Sequence, residues 1–198
     1  GAGEGALATF NYAWKLVELP LILAIQLVAS LAFPAIARAH AASASVTGHT
    51  SADAMAMAVR NALVLAWTLA CAAAAALLVG APVIASLLFG WGRMDVPALE
   101  QIAAWGRVGA WGLLPQALLA VALTVLASVG SMRFAVLAYV LALALLLAVG
   151  AAGWTAGESL MWGLNAGFAV AALIAGGALG APALRHWLPI RALLAPSL

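Results

Sequence analysis

The side chains best able to do chemistry in this 198-residue chain are Asn11, Lys15, Glu18 and Gln26. They set two amides, an ammonium and a carboxylate into a segment otherwise dominated by apolar and aromatic residues. On a helix, positions three and four apart share a face. The series Glu4, Ala8, Asn11, Lys15, Glu18, Ile22 and Gln26 advances only by such steps. Its polar members therefore form one stripe, about 33 Å long at 1.5 Å per residue. A charge at bilayer depth is costly unless it faces water, a partner or the membrane surface. Two readings of the stripe follow. In one, Lys15 and Glu18 are an i,i+3 pair at the interface, snorkelling to the headgroups beside the belt aromatics Tyr12 and Trp14. In the other, the stripe lines a hydrated cavity where Lys15 meets an anionic substrate, Glu18 tunes it, and Pro20 gives the helix a place to flex.

No enzyme signature accompanies these residues. The chain has no HExxH, GxSxG or Walker loop and no paired carboxylates deep in an apolar run, and Cys71 has no His nearby. No catalytic residue and no cofactor are expected. His40 and His49 stand nine residues apart without acidic or cysteine company, which argues against a metal site. Cys71, within "WTLACAAAAALL", reads as a small buried hydrophobe. Gln116 follows Pro115, and a carboxamide there can satisfy the carbonyl that a proline leaves unpaired. Gly176 and Gly180 form a GxxxG, a spacing that lets helices approach in lipid.

The elements that must position these groups are membrane helices. Hydrophobic residues make up 67% of the chain and charged residues 7%, against roughly 45–50% and about 25% in soluble domains. Eight Lys/Arg and six Asp/Glu cannot supply a soluble domain's polar shell. The basic residues are scattered singly, so nucleic acid is not an expected partner. Runs of about 20 apolar residues span a bilayer as helices. An all-α polytopic bundle follows over residues 1–181, with spans near 4–38, 55–79, 98–129, 132–152 and 158–179, and a tail over 182–198. The first span is expected to bend at Pro20. Residues 40–53 read as a polar loop, and 80–97, with Gly80, Pro82, Gly90, Gly92 and Pro97, as a short helical turn followed by a second loop. With five spans, Arg38, Arg60, Arg133, Arg185 and Arg191 fall on one side, and Arg93 with Arg107 on the other. The positive-inside rule then places the C-terminus and its tail in the cytoplasm. The start at Gly1, without a basic flank or cleavage site after it, suggests a fragment.

At this point a family resemblance enters. The stretch "GALATFNYAWKLVELPLILAIQLVASLAFPAIARA" resembles the helix that opens the second half of MurJ/MviN-type lipid flippases, in the multidrug/oligosaccharidyl-lipid/polysaccharide exporter superfamily. The family runs Tyr-Ala-x-Arg-Leu-x-x-Leu-Pro-Leu; here Tyr12 to Leu21 repeat it with Lys15 in the arginine's place and Trp14 where an acidic residue is common. "APVIASLLFGWGRMD" and "AAWGRVGAWGLLPQALLAVALTVLAS" are similar to the elements that follow, so the likeness covers about residues 1–150. It implies two facing six-helix bundles, of which this chain would be most of the second, with the N-terminal lobe as its missing partner. It further implies a bacterial inner-membrane flippase that moves a polyprenyl-pyrophosphate-linked saccharide between leaflets by alternating access. Lys15 would then attract the pyrophosphate, Asn11 and Gln26 would hydrogen-bond sugar or phosphate oxygens, and Glu18 would orient Lys15. Pro20, Gly109, Gly112 and Pro115 would be hinges. A cation-coupled drug exporter of the same superfamily, with Glu18 as coupling carboxylate, and a non-transporting scaffold of a polysaccharide assembly complex are the alternatives.

Overall fold

A computed structural model describes residues 2–45, 49–91, 94–153 and 156–180. Six helices occupy nearly all of them: α1 (Ala2–Ser45), α2 (His49–Phe89), α3 (Val96–Ala110), α4 (Leu113–Ser128), α5 (Arg133–Ala151) and α6 (Gly157–Ala178). The described residues hold no strand. Ala and Leu are among the best helix formers, and an apolar segment in hydrocarbon must satisfy its backbone internally. Four helices are long and apolar enough to cross a membrane, or five spans when α3 and α4, bent by 47° at their junction, count as one. Their lengths and composition are those of a multi-pass membrane protein.

The helices run further than the polar punctuation predicts. α1 continues through Pro20 and Pro34 to Ser45, and α2 continues through Gly80 and Pro82 to Phe89. The loop expected over 40–53 is thus largely helix ends, and no separate short helix follows the second span. Proline can sit in a membrane helix where other groups re-satisfy the backbone it frees. The break falls instead inside the third expected span, at Trp111–Gly112. Arg93 and the tail over 182–198, with Arg185 and Arg191, lie outside the described residues.

Local signals end the shorter helices. The Asp95 carboxylate caps α3 by accepting a hydrogen bond from the Ala98 amide at 3.1 Å, one residue after Pro97. α4 closes in a Schellman motif, with the Ser131 amide donating to the Leu126 carbonyl at 2.9 Å and Gly130 at φ +70° supplying the left-handed residue.

α1 to α4 pack together around one core, in which Leu16, Val17, Val28 and Ile36 of α1 join Val59 and Ala66 of α2 and Leu113 and Val125 of α4. α6 lies on α4 and α3, and α5 packs almost entirely on α6. A second, smaller core of Leu119, Ala122, Leu126, Ala138, Ala171 and Ala175 joins α4 to that hairpin. The α5–α6 seam runs over glycine. A Cβ on Gly163 would meet Val149 Cγ1 at 3.2 Å, and one on Gly167 would meet the Ala142 carbonyl at 3.5 Å. Gly163 and Gly167 are the GxxxG pair that packs. The Gly176–Gly180 pair does not, because Gly176 has open space where its Cβ would lie and Gly180 ends the segment at φ +88°, as befits a spacing that arises by chance in so Ala/Gly-rich a chain. Cys71 is exposed rather than buried, since it lies on the side of α2 turned away from the bundle.

Candidate functional site

α1 carries the stripe on its uncovered side. Ala13, Leu16, Val17, Leu21 and Val28 turn into the core, which leaves Asn11, Lys15, Ile22 and Gln26 exposed. Lys15 Nζ donates to Glu18 Oε2, so ammonium and carboxylate form an ion pair with side chains 50% and 27% exposed. Glu18 is the less exposed partner; one turn before it stands the half-buried Trp14, whose ring stacks on Phe168 of α6 with centroids 6.1 Å apart and planes 10° from parallel. Gln26 is exposed on the same side, and its backbone carbonyl accepts a hydrogen bond from Ser30 Oγ at 2.7 Å. Around these groups the surface is apolar: Leu19, Ile22, Leu23, Leu27 and Leu31 are all exposed. The helix thus brings Asn11, Lys15, Glu18 and Gln26 together along one side. None of the four lines the apolar crevice at Pro20 or either of the two cavities beside the α5–α6 hairpin. Glu4, the first member of the series, has no described side chain.

The residues expected as hinges divide. Pro20 lies in unbroken helix and lines an apolar crevice with Leu21, Leu113 and Ala117. Gly109, Gly112 and Pro115 bracket the bend between α3 and α4. There the backbone tightens. The Trp111 amide donates to the Val108 carbonyl at 3.3 Å and the Gly112 amide to the Gly109 carbonyl at 2.9 Å, both i→i−3 bonds. Each glycine at the bend is also a close approach. A Cβ on Gly106 would meet Leu16 Cδ1 at 3.0 Å, one on Gly109 would meet Val17 Cγ2 at 2.6 Å, and one on Gly112 would meet Asn165 Oδ1 at 2.3 Å.

Gln116 and Asn165 are the two buried polar residues among those described, and both attach to this bend. Gln116 Nε2 donates to the Gly112 carbonyl at 3.0 Å. That is one residue beyond Trp111, whose carbonyl Pro115 deprives of its helical donor, so the expected repair by Gln116 lands on the neighbouring carbonyl. Asn165 reaches across from α6 and donates through Nδ2 to the Val108 carbonyl at 2.8 Å. Asn165 is absent from the residues that the sequence alone singles out above. The signal was there in "GRVGAWG", with Gly106, Gly109 and Gly112 three apart, opposite the amide of "GLNAG".

Between α4 and the α5–α6 hairpin lie two cavities. One, of about 260 Å³, is walled by Ile25 and Val28 of α1, Gln116, Leu123 and Thr124 of α4, Tyr139 of α5 and Phe168 of α6. The other, of about 210 Å³, is walled by Val59, Leu63, Val121, Val125, Leu173 and Gly176 among others. The Thr124 hydroxyl donates to its own helix at the Ala120 carbonyl, 2.8 Å away, so the first cavity is lined mainly by carbon.

No family model, curated protein or solved structure matches the chain.

Proposed function

We propose that the chain is a lobe of a membrane transporter that moves an anionic lipid-linked saccharide across the bacterial inner membrane by alternating access, as MurJ-type flippases do. The observation that carries this reading is the Lys15–Glu18 ion pair with Asn11 and Gln26 on the uncovered side of α1. Four polar groups along an apolar, outward face are costly against lipid. They are favourable where a second lobe closes a hydrated cavity over them. In that cavity Lys15 is the point charge for a pyrophosphate, Glu18 holds the ammonium in place, and Asn11 and Gln26 offer donors and acceptors to sugar or phosphate oxygens. A lysine lacks arginine's planar fork. It binds phosphate as a point charge and so suits a saccharide carrier other than the peptidoglycan precursor as well as that precursor. The C-terminus and tail are cytoplasmic in this reading, by the distribution of arginines.

The test is complementation. In a strain lacking its lipid-linked saccharide flippase, the protein together with its facing lobe should rescue growth, and Lys15→Ala should abolish rescue at unchanged membrane abundance. Full rescue by Lys15→Ala at wild-type abundance would sink the cavity role. Loss of drug efflux on Glu18→Gln with saccharide transfer intact would point to a coupled drug exporter instead.

A further inference from the structure

The α5–α6 hairpin is joined to the other four helices in an uneven way. α5 packs almost wholly on α6, so the hairpin is held chiefly through α6. At the N-terminal end of α6 the fit is close. Met161 Sδ lies 3.5 Å from where a Gly109 Cβ would be, Gly157 sits where a Cβ would strike the Trp105 ring at 2.3 Å, and Asn165 donates to the Val108 carbonyl at 2.8 Å. Further along, α6 meets α4 through the second core of Leu119, Ala122, Leu126, Ala171 and Ala175, to which α6 contributes only alanines among the fully buried residues. Here the two cavities of about 260 and 210 Å³ lie between α4 and the hairpin, one involving Tyr139 and Phe168, the other Leu173 and Gly176. One end of the joint is therefore tight and polar, and the other end has room.

We infer that the α5–α6 hairpin pivots on the bend between α3 and α4, with Asn165 as the latch that fixes the pivot. Tight packing at the N-terminal end of α6 holds that end in register with Val108 and Gly112. The alanines that α6 buries in the second core let the other end rock into the flanking cavities. Small residues suit this, since Ala171 and Ala175 interdigitate little with α4, whereas a packed interface of large side chains on both elements has discrete positions only. The Asn165 carboxamide serves better than an apolar side chain because it donates to a carbonyl at the break, where backbone bonds have already switched from i→i−4 to i→i−3. Gly112 is then required to be glycine, because any side chain there would push the Asn165 oxygen away. Asn165 is a positioning residue in this account and touches no substrate. The inference does not depend on what the protein transports.

The measurement is a distance across the mobile end. In the full chain in lipid nanodiscs, with Cys71→Ser, spin labels at Met57→Cys on α2 and Val136→Cys on α5 occupy exposed sites near the ends of α2 and α5 that flank the looser part of the joint. Asn165→Leu and Gly112→Ala should each broaden the distance distribution and shift its centre relative to the labelled parent, in which the Asn165 bond is intact, whereas Gly176→Leu should narrow it. Gly176 borders the second cavity and has nothing within 4 Å of its Cβ position, so a larger residue there adds bulk at the cavity and keeps the test alive if a latch variant fails to fold. Unchanged distributions in folded Asn165→Leu or Gly112→Ala overturn the latch, and an unchanged distribution in Gly176→Leu overturns the rocking.

Discussion

Ion pairs three or four residues apart on an exposed helix face contribute roughly 0.3–0.5 kcal/mol. Lys15 and Glu18 therefore do little for folding, and Lys15→Met is expected to change stability by no more than about 0.5 kcal/mol while removing the charge that the proposed transport needs. Thermal unfolding in detergent checks the first half and complementation the second. Asn165 has the opposite profile. Its bond to Val108 joins residues 57 apart in sequence, whereas the Gln116 amide bonds a carbonyl four residues back in its own chain segment. Interhelical hydrogen bonds in membranes contribute about 0.6 kcal/mol on average and up to about 1.7. Asn165→Leu should cost an amount in that range and Gln116→Leu distinctly less, because the Gly112 carbonyl keeps its backbone donor, the Gln116 amide at 3.2 Å. Equal losses in a steric-trap or thermal measurement would contradict the assignment of the tertiary role to Asn165. The identity and spacing of the stripe residues could be read from sequence. Their outward direction could not, since it depends on which side of α1 the other helices cover.

Among the elements, run length located most of the apolar helices but polar punctuation misplaced their ends. Pro20, Pro34 and Pro82 look as disruptive in sequence as Pro115, yet α1 and α2 pass through them unbroken. What distinguishes the bend at Trp111–Gly112 is a tertiary partner: Asn165 from α6 supplies a donor at the break, and it stands 57 residues away from Val108 in sequence. The glycines teach the same lesson. Gly163 and Gly167 share a spacing with Gly176 and Gly180, and only the first pair has α5 against it. Enlarging a glycine in a packed seam forces neighbours apart at a cost of about 1–3 kcal/mol. Gly167→Leu should therefore destabilise by that amount and loosen α5 from α6, while Gly176→Leu should leave stability unchanged or raised, since helix propensity improves by up to about 1 kcal/mol. Comparing the two variants in one denaturation series separates packing from composition, because both make the same chemical change.

For the whole molecule, composition made the membrane bundle legible, and the geometry adds an asymmetry that composition could not. α5 offers lipid a face of Val136, Leu137, Val140, Leu143 and Leu147, all exposed and all apolar. α1 offers a face of equal exposure that carries Asn11, Lys15 and Gln26. Both faces lack cover within the bundle, yet only the first suits hydrocarbon. A polar face of this kind is satisfied by water in a cavity, by headgroups, or by a dry contact with a partner, and chemical accessibility tells these apart. With Cys71→Ser as background, single cysteines at Asn11, Glu18 and Gln26 of the assembled protein should react with a membrane-impermeant maleimide, and one at Val140 should not. Reaction at position 11 that fades before position 26 would mean a stripe that only skirts the interface. Protection at all three stripe positions would mean a dry protein contact, and the chain would then be a scaffold. Labelling that reaches position 26, about 22 Å along the helix from position 11 at 1.5 Å per residue, is what a hydrated pathway through the membrane requires.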